Sequence, residues 1–251
     1  RQINVLQALG AEVPLYAHLS MILGDDGTKL SKRHGAVSVM QYDDDGYLPE
    51  AVINYLARLG WSHGDDEIFD RAQFVEWFDL DHITPSAAQF NTEKLNWLNA
   101  QYIKKADDAF LAAQVASRLA RRGVNPETCV TLEAVVALYK DRVANLNELA
   151  DASELFVADI HPAPEVIGQH LTETARAALA SLRGRLADAV WDKATLSQAI
   201  KDTMAEHSLK MPQVAIPLRV AVLGVPQTPS IDAVLEVLGR ECVLQRLDRH
   251  L

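Results

Sequence analysis

From Pro49 onward the apolar residues of this chain recur at helical spacing, with little of the alternation a sheet needs, and that pattern excludes most folds. Val52, Tyr55, Leu56 and Leu59 share one face of a helix that Pro49 opens and Gly60 stops, the usual asymmetry of proline at a first turn and glycine past a last one. Phe74, Trp77 and Phe78 predict a short aromatic-faced helix. Thr92 stands where it can cap a helix that buries Leu95, Leu98 and Tyr102. From about Asp107 to Arg122 runs a long amphipathic segment, acidic at its start and basic at its end as the helix dipole favours, with Gly123 as its stop. Residues 132–149 predict one or two helices, and residues 172–182, 195–204 and 231–238 three more, the last ended by Gly239. His161-Pro162-Ala163-Pro164 interrupts the series as a linker, because two prolines in four residues oppose helix. Strand character is confined to residues 15–23 and 36–42. The expected fold class is therefore mainly α: a small mixed α/β region first, then an all-helical body.

The chemistry-bearing stretch lies in the mixed region. Lys29-Leu30-Ser31-Lys32-Arg33 places three cations within five residues, after the apolar run Met21-Ile22-Leu23-Gly24 and a turn at Asp25-Asp26-Gly27. A strand, a tight turn and a basic loop suit the holding of phosphates while their charge is redistributed, since fixed cations aimed at developing negative charge lower a barrier. Short basic clusters are also common on plain solvated surfaces, so the residues alone leave both readings open.

Composition narrows the partners. The formal net charge is -10, which argues against indiscriminate nucleic-acid binding and leaves selective binding to local basic patches. Candidate patches are Lys104-Lys105, Arg118 with Arg121-Arg122, and Arg183 with Arg185, each of which also reads as a solvated helix face. No apolar run approaches the roughly 18 residues of a membrane span, and Arg1 onward does not look like a signal peptide. Cys129 and Cys242 lack metal-ligand spacing; a disulfide between them stays open, with a reducing compartment the simpler reading. His18, His63 and His82 are scattered, so no metal site is expected.

The run Ser20-Met21-Ile22-Leu23-Gly24-Asp25-Asp26-Gly27-Thr28-Lys29-Leu30-Ser31-Lys32-Arg33-His34-Gly35 closely resembles bacterial glutamyl-tRNA synthetases. In that family the loop is the second class I signature, of general form Lys-Met-Ser-Lys-Ser, with Leu30 here for Met and Arg33 for the last Ser. The resemblance continues through Tyr47-Leu48-Pro49-Glu50-Ala51-Val52, Leu59-Gly60-Trp61-Ser62-His63-Gly64, Phe90-Asn91, Lys94-Leu95-Asn96-Trp97-Leu98-Asn99 and Pro217-Leu218-Arg219-Val220-Ala221. It is dense before Ala106 and thinner after it. The first class I signature, His-Ile-Gly-His, occurs nowhere in the sequence. The chain is thus expected to be the C-terminal portion of a synthetase, lacking the nucleotide-binding half. Residues 1–105 would be the end of the catalytic body, a mixed α/β remnant carrying the loop with stem-contact helices. Residues 106–251 would be a helical anticodon-binding domain, with a subdomain break near 161–165. Glutaminyl relatives read the anticodon with β-barrels, for which this chain has too few strands.

The resemblance also implies an activity: glutamate–tRNA ligation, in which ATP and glutamate give glutamyl-adenylate before the tRNA end attacks. By position in the motif Lys32 contacts the ATP phosphates, above all in the transition state, and Lys29 supports it. Ser31 and Arg33 add hydrogen bonds to phosphate. Asp25 and Asp26 read as turn residues and Gly35 as the loop's exit. Leu138-Tyr139-Lys140-Asp141-Arg142-Val143-Ala144-Asn145-Leu146 resembles the family's anticodon-reading stretch, making Arg142 the candidate for the third anticodon base. Phe156 and Trp191 could stack on bases, though lone aromatics at helical spacing are more often core. The segment 217–221 receives only a structural role. Implied partners are tRNA(Glu), ATP and glutamate, with Mg2+ held by ligands outside this segment, in the cytoplasm, with no DNA or membrane partner. The chain alone is not expected to catalyse. The alternative reading is a stand-alone tRNA-binding or regulatory module.

Overall fold

The computed structural model describes residues 1–30, 38–124 and 130–251. Among them it is mostly helical, with 14 α-helices and one two-stranded sheet. The chain divides into two compact units: unit 1 comprises Arg1–Tyr42 and Pro49–Leu98, unit 2 comprises Asp43–Leu48 and Asn99–Leu251.

Unit 1 holds α1 (Gln2–Ala8), β1 (Ile22–Leu23), most of α2 (Val39–Asp44), α3 (Pro49–Arg58), α4 (Arg71–Trp77), β2 (Ala88–Gln89) and the start of α5 (Thr92–Lys105). β1 and β2 run parallel, Ile22 beside Ala88 and Leu23 beside Gln89. Strand structure within residues 15–23 is limited to that pair, and Leu15 and Leu19 stay exposed. The second expected strand is overturned where it is described: residues from Val39 are helical, because the Ser38 hydroxyl accepts the Met40 N–H at 3.2 Å and starts a turn. α3 buries Ala51, Val52, Asn54 and Tyr55. Buried Asn54 is fully used, donating to the Glu67 carbonyl at 3.0 Å and accepting from the Phe69 N–H at 3.2 Å. Around Trp61 gather Phe69, Phe74 and Phe78, ring centroids 5.3–5.9 Å away. α4, which supplies Phe74, is held by a capping box between Asp70 and Gln73. α5 begins at the predicted place, but its cap is Asn91, whose side-chain oxygen accepts the Lys94 N–H at 2.8 Å.

Unit 2 carries the remainder of α5, then α6 (Asp108–Arg121), α7 (Leu132–Tyr139), a 3-10 turn (Lys140–Arg142), α8 (Leu146–Val157), α9 (Pro164–His170), α10 (Glu173–Asp188), α11 (Lys193–Glu206), α12 (Met211–Leu223), α13 (Ile231–Leu238) and α14 (Arg240–Asp248). Side chains of Asp107, Asn145, Thr172 and Asp192 cap α6, α8, α10 and α11. Phe156, Leu111, Leu149, Leu179, Leu182 and Leu196 are wholly buried. Arg246 lies in the same interior, 6% exposed. Its guanidinium donates to the carbonyls of Leu155, Phe156 and Ala158 at the end of α8, and to Val222 near the end of α12, at 2.6–3.1 Å. A cation at two helix C-termini meets the negative ends of both dipoles and satisfies carbonyls the helices cannot. Burial pulls its pKa below the ordinary guanidinium value.

The short segment Asp43–Leu48 is built into unit 2 from upstream. Gly46 accepts the Leu146 N–H at 2.8 Å, Asn147 donates to the Asp44 carbonyl at 2.8 Å, and Asn99 joins the Leu48 N–H to the Ala144 carbonyl. Arg118, 4% exposed, donates to both the carbonyl and the carboxylate of Asp43.

Candidate functional site

In unit 1 the described structure reaches the root of the basic loop. Gly24 N–H donates to the Thr28 carbonyl at 2.7 Å, and Gly27 takes φ +74°, closing the turn read at Asp25-Asp26-Gly27. Asp26 accepts from the Thr28 amide at 3.0 Å and hydroxyl at 2.9 Å, which is turn chemistry. Lys29 pairs through its backbone with Leu23, and Leu30 N–H donates to the Ile22 carbonyl at 3.0 Å. The turn is anchored in turn: Gln89 donates to the Asp25 carbonyl at 2.9 Å and Thr92 to its carboxylate at 3.2 Å. A cavity of about 400 Å³ opens here, lined by Asp25 and the continuous stretch Gln89 to Glu93. Ser31, Lys32, Arg33 and Gly35 lie outside the described residues.

In unit 2 the structure sorts the sequence-read cations. Arg118 and Arg121 face Asp43, Arg122 reaches Asp151 and Glu154, Arg183 pairs with Asp248 and Arg185 with Glu206. Those guanidiniums serve carboxylates, several of them distant in sequence, and are poor RNA patches. Lys104 and Lys105 are exposed and have no ion pair among the described residues. So does Arg142, at the end of the 3-10 turn.

Arg142 has an unforeseen companion. Arg219 on α12 is half-buried and lines a cavity of about 410 Å³ with Ile200, Met211, Ile216, Ile231 and Asp232. Its Nε donates to the Thr228 hydroxyl at 2.9 Å, and it has no ion pair among the described residues. Burial lowers its pKa, opposed by the neighbouring Tyr139 phenol. Tyr139 itself, 8% exposed and edge-on to Phe156, is pushed up to about 12 by burial, and the charges of Arg142 and Arg219 pull it back. The phenol therefore stays neutral beside two guanidiniums that have no ion pair among the described residues. A hollow with apolar walls and a planar fork of donors suits the edge of an unstacked base or a phosphate. Sequence reasoning gave Arg219 no function, yet a signal existed. It is a lone charge in a run apolar on every side, with no acid three or four residues away. Phe156 is core, and Trp191 donates to the Leu235 carbonyl at 3.1 Å with Arg240 over its ring.

Comparison with known proteins covers both units. The family described as "Anticodon binding domain" matches residues 101–251, and "tRNA synthetases class I (E and Q), catalytic domain" matches residues 1–97. A glutamate–tRNA ligase of Azoarcus sp. (strain BH72) is 84% identical over 251 residues, all of this chain and 54% of that protein. One of Thiobacillus denitrificans is 66% identical over 98% of this chain and 52% of its own length. The crystal structure of a glutamate tRNA ligase from Elizabethkingia meningosepticum, in complex with its amino acid, superposes with a TM-score of 0.82 at 25% identity. It matches 99% of this chain and 53% of its own. The chain spans about half the length of the curated relatives it matches.

Proposed function

Since the chain belongs to the anticodon binding domain family over residues 101–251, with class I (E and Q) catalytic-domain sequence before it, we propose that it works in ATP-dependent attachment of glutamate to tRNA(Glu), in the cytoplasm. Residues up to about 105 serve the reaction centre and those from 106 serve the RNA. Lys29 and Lys32, with Ser31 and Arg33, hold the ATP phosphates as glutamyl-adenylate and pyrophosphate form. Their charge is worth most as the leaving pyrophosphate gathers negative charge. The tie of Asp25 to Gln89 and Thr92 fixes the root from which that loop extends. Among the described residues no group of three or more His, Cys, Asp or Glu side chains is placed to hold a metal, and the roles assigned here run through the chain's own cations.

Unit 2 reads the anticodon with Arg142 and Arg219, Arg142 taking the third base. The observation that carries this reading is the pair of guanidiniums near Tyr139 that form no ion pair among the described residues, while the other arginines of the sequence-read patches are paired. The relatives' names support glutamate tRNA as the partner, and the two arginines without an ion pair among the described residues support the RNA contact. The test is binding of tRNA(Glu) and its anticodon variants to this chain at two salt concentrations. Affinity should fall steeply with salt, as phosphate contacts require. Arg142→Ala should flatten the ranking of bases at one anticodon position, by about 1–3 kcal/mol in analogy with direct readout. An unchanged ranking removes the assignment of Arg142, and salt-independent or absent binding removes the reading of unit 2.

A further inference from the structure

A second cavity, of about 350 Å³, opens in unit 2 between the end of α9, the start of α10 and the first turns of α12. It shares two wall residues, Pro212 and Ile216, with the Arg219 cavity. They stand four positions apart on α12, so they stack on one face of the helix and form a ridge between the two hollows. The second hollow has an apolar floor, with Leu209 and Pro217 joining that ridge. No charged side chain of a Lys, Arg, Asp or Glu lines it, in contrast to the first.

Its polar rim divides into engaged and unengaged groups. Gln213 uses its side-chain oxygen to accept the Lys210 N–H at 2.8 Å, and the Thr172 hydroxyl accepts the Ala175 N–H at 3.3 Å. Gln169 is exposed and His170 half-buried, and neither side chain has a hydrogen-bond partner among the described residues. Those two groups each offer a donor and an acceptor, which is what the edge of a nucleobase requires. A rim without Lys or Arg over a proline floor is ill suited to a bare phosphate and well suited to a base. The volume is also in the range of small-ligand sites.

We propose that this second hollow takes an unpaired nucleoside adjacent in the strand to the one held beside Arg219, stacked on the Pro217 side of the ridge and read by Gln169 and His170. The proposal rests on the reading of unit 2 as a tRNA anticodon binder. Recognition of single-stranded RNA works by splaying neighbouring bases apart and giving each its own surface. The Pro212–Ile216 ridge supplies the wedge between them.

The experiment measures binding of tRNA(Glu) transcripts carrying each base in turn at every position of the anticodon loop. It compares the unaltered chain, Arg219→Ala, the double variant Gln169→Ala/His170→Ala, and Thr174→Trp, which fills the second hollow from an exposed position on α10. The double variant should lose about tenfold in discrimination at one position, next to the position at which Arg219→Ala loses it, and Thr174→Trp should weaken binding of all loops. The proposal is overturned if neither the double variant nor Thr174→Trp changes the ranking or the affinity. It is equally overturned if the double variant flattens the same position as Arg219→Ala, for then there is one pocket. Failure of the unaltered chain to bind tRNA would instead sink the parent reading and this one with it.

Discussion

Unit 1 and unit 2 spend their apolar residues differently. Of the twenty exposed large hydrophobic side chains among the described residues, sixteen lie in unit 1, from Ile3 to Trp97. Of the twelve largest fully buried side chains, eleven lie in unit 2, Leu95 being the exception. Unit 2 thus closes a saturated helical core on itself, and the two arginines proposed to read the anticodon stand on its 3-10 turn and on α12. Among the described residues unit 1 has two short strands and, before Leu30, a turn, with one aromatic cluster and α3 as its interior. Amide exchange should follow this difference, slow through α10, α11 and α12 and fast through residues 1–21.

The sharpest way to break the contrast is to remove the cation at the centre of unit 2. Arg246→Leu leaves four buried carbonyls without their donor, and should cost roughly 3 kcal/mol or more of stability. Urea unfolding followed by circular dichroism reads the loss. An effect under about 1 kcal/mol would mean that the clamp on α8 and α12 is dispensable. Next is Gly46→Ala. That residue sits at φ +89°, and a Cβ there would lie 2.8 Å from the Asn147 backbone nitrogen. The expected cost is about 2–3 kcal/mol, visible in the same unfolding curve although residue 46 lies far upstream of most of unit 2.

These two sites show where the sequence was legible and where it was not. The bounds of α3, α6 and α13 followed from local punctuation: Pro49 and Gly60, the charge order from Asp107 to Arg122, and Gly239. α12 escaped notice because Pro212 and Pro217 suggest breaks and because a helix apolar on nearly every side has no amphipathic stripe to find. Arg118 looked like part of an RNA patch because its partner Asp43 lies 75 residues upstream. Arg246 gave no signal, since its partners are backbone carbonyls on helices about ninety and twenty-four residues away. Of the two proposed anticodon groups, Arg142 came from a motif, while Arg219 had to wait for the cavity that it lines. Local chemistry was readable; contacts closed over long sequence distances were not.

Smaller effects sharpen the account of unit 1. Asp70→Ala removes the capping box of α4 and should cost about 1 kcal/mol. The loss should loosen Phe74 against Trp61 and appear as a shift in tryptophan emission before global unfolding. The smallest effect concerns Glu67, whose carboxylate is held below its usual range by the hydrogen bond from Lys94 and then by that ammonium's charge. A depressed carboxyl pKa adds stability above the unfolded value and loses it as pH falls through the folded one. Both side chains are nearly half exposed, so the gain is a few tenths of a kcal/mol. The destabilisation caused by Lys94→Met should be measurable at neutral pH in low salt, and should vanish in acid or at high ionic strength.

The six residues from Asp43 to Leu48 have a kinetic consequence. They leave the ribosome about a hundred positions before Leu146 and Asn147, the backbone and side-chain donors that fasten them. Until then the Asp44 and Gly46 carbonyls have only water to bond while α6 and α7 are made. A cut at residue 99 would not yield a whole C-terminal piece, because the liberated part would lack its own plug. Supplying residues 43–48 as a separate peptide to a chain starting at Asn99 should therefore slow its unfolding.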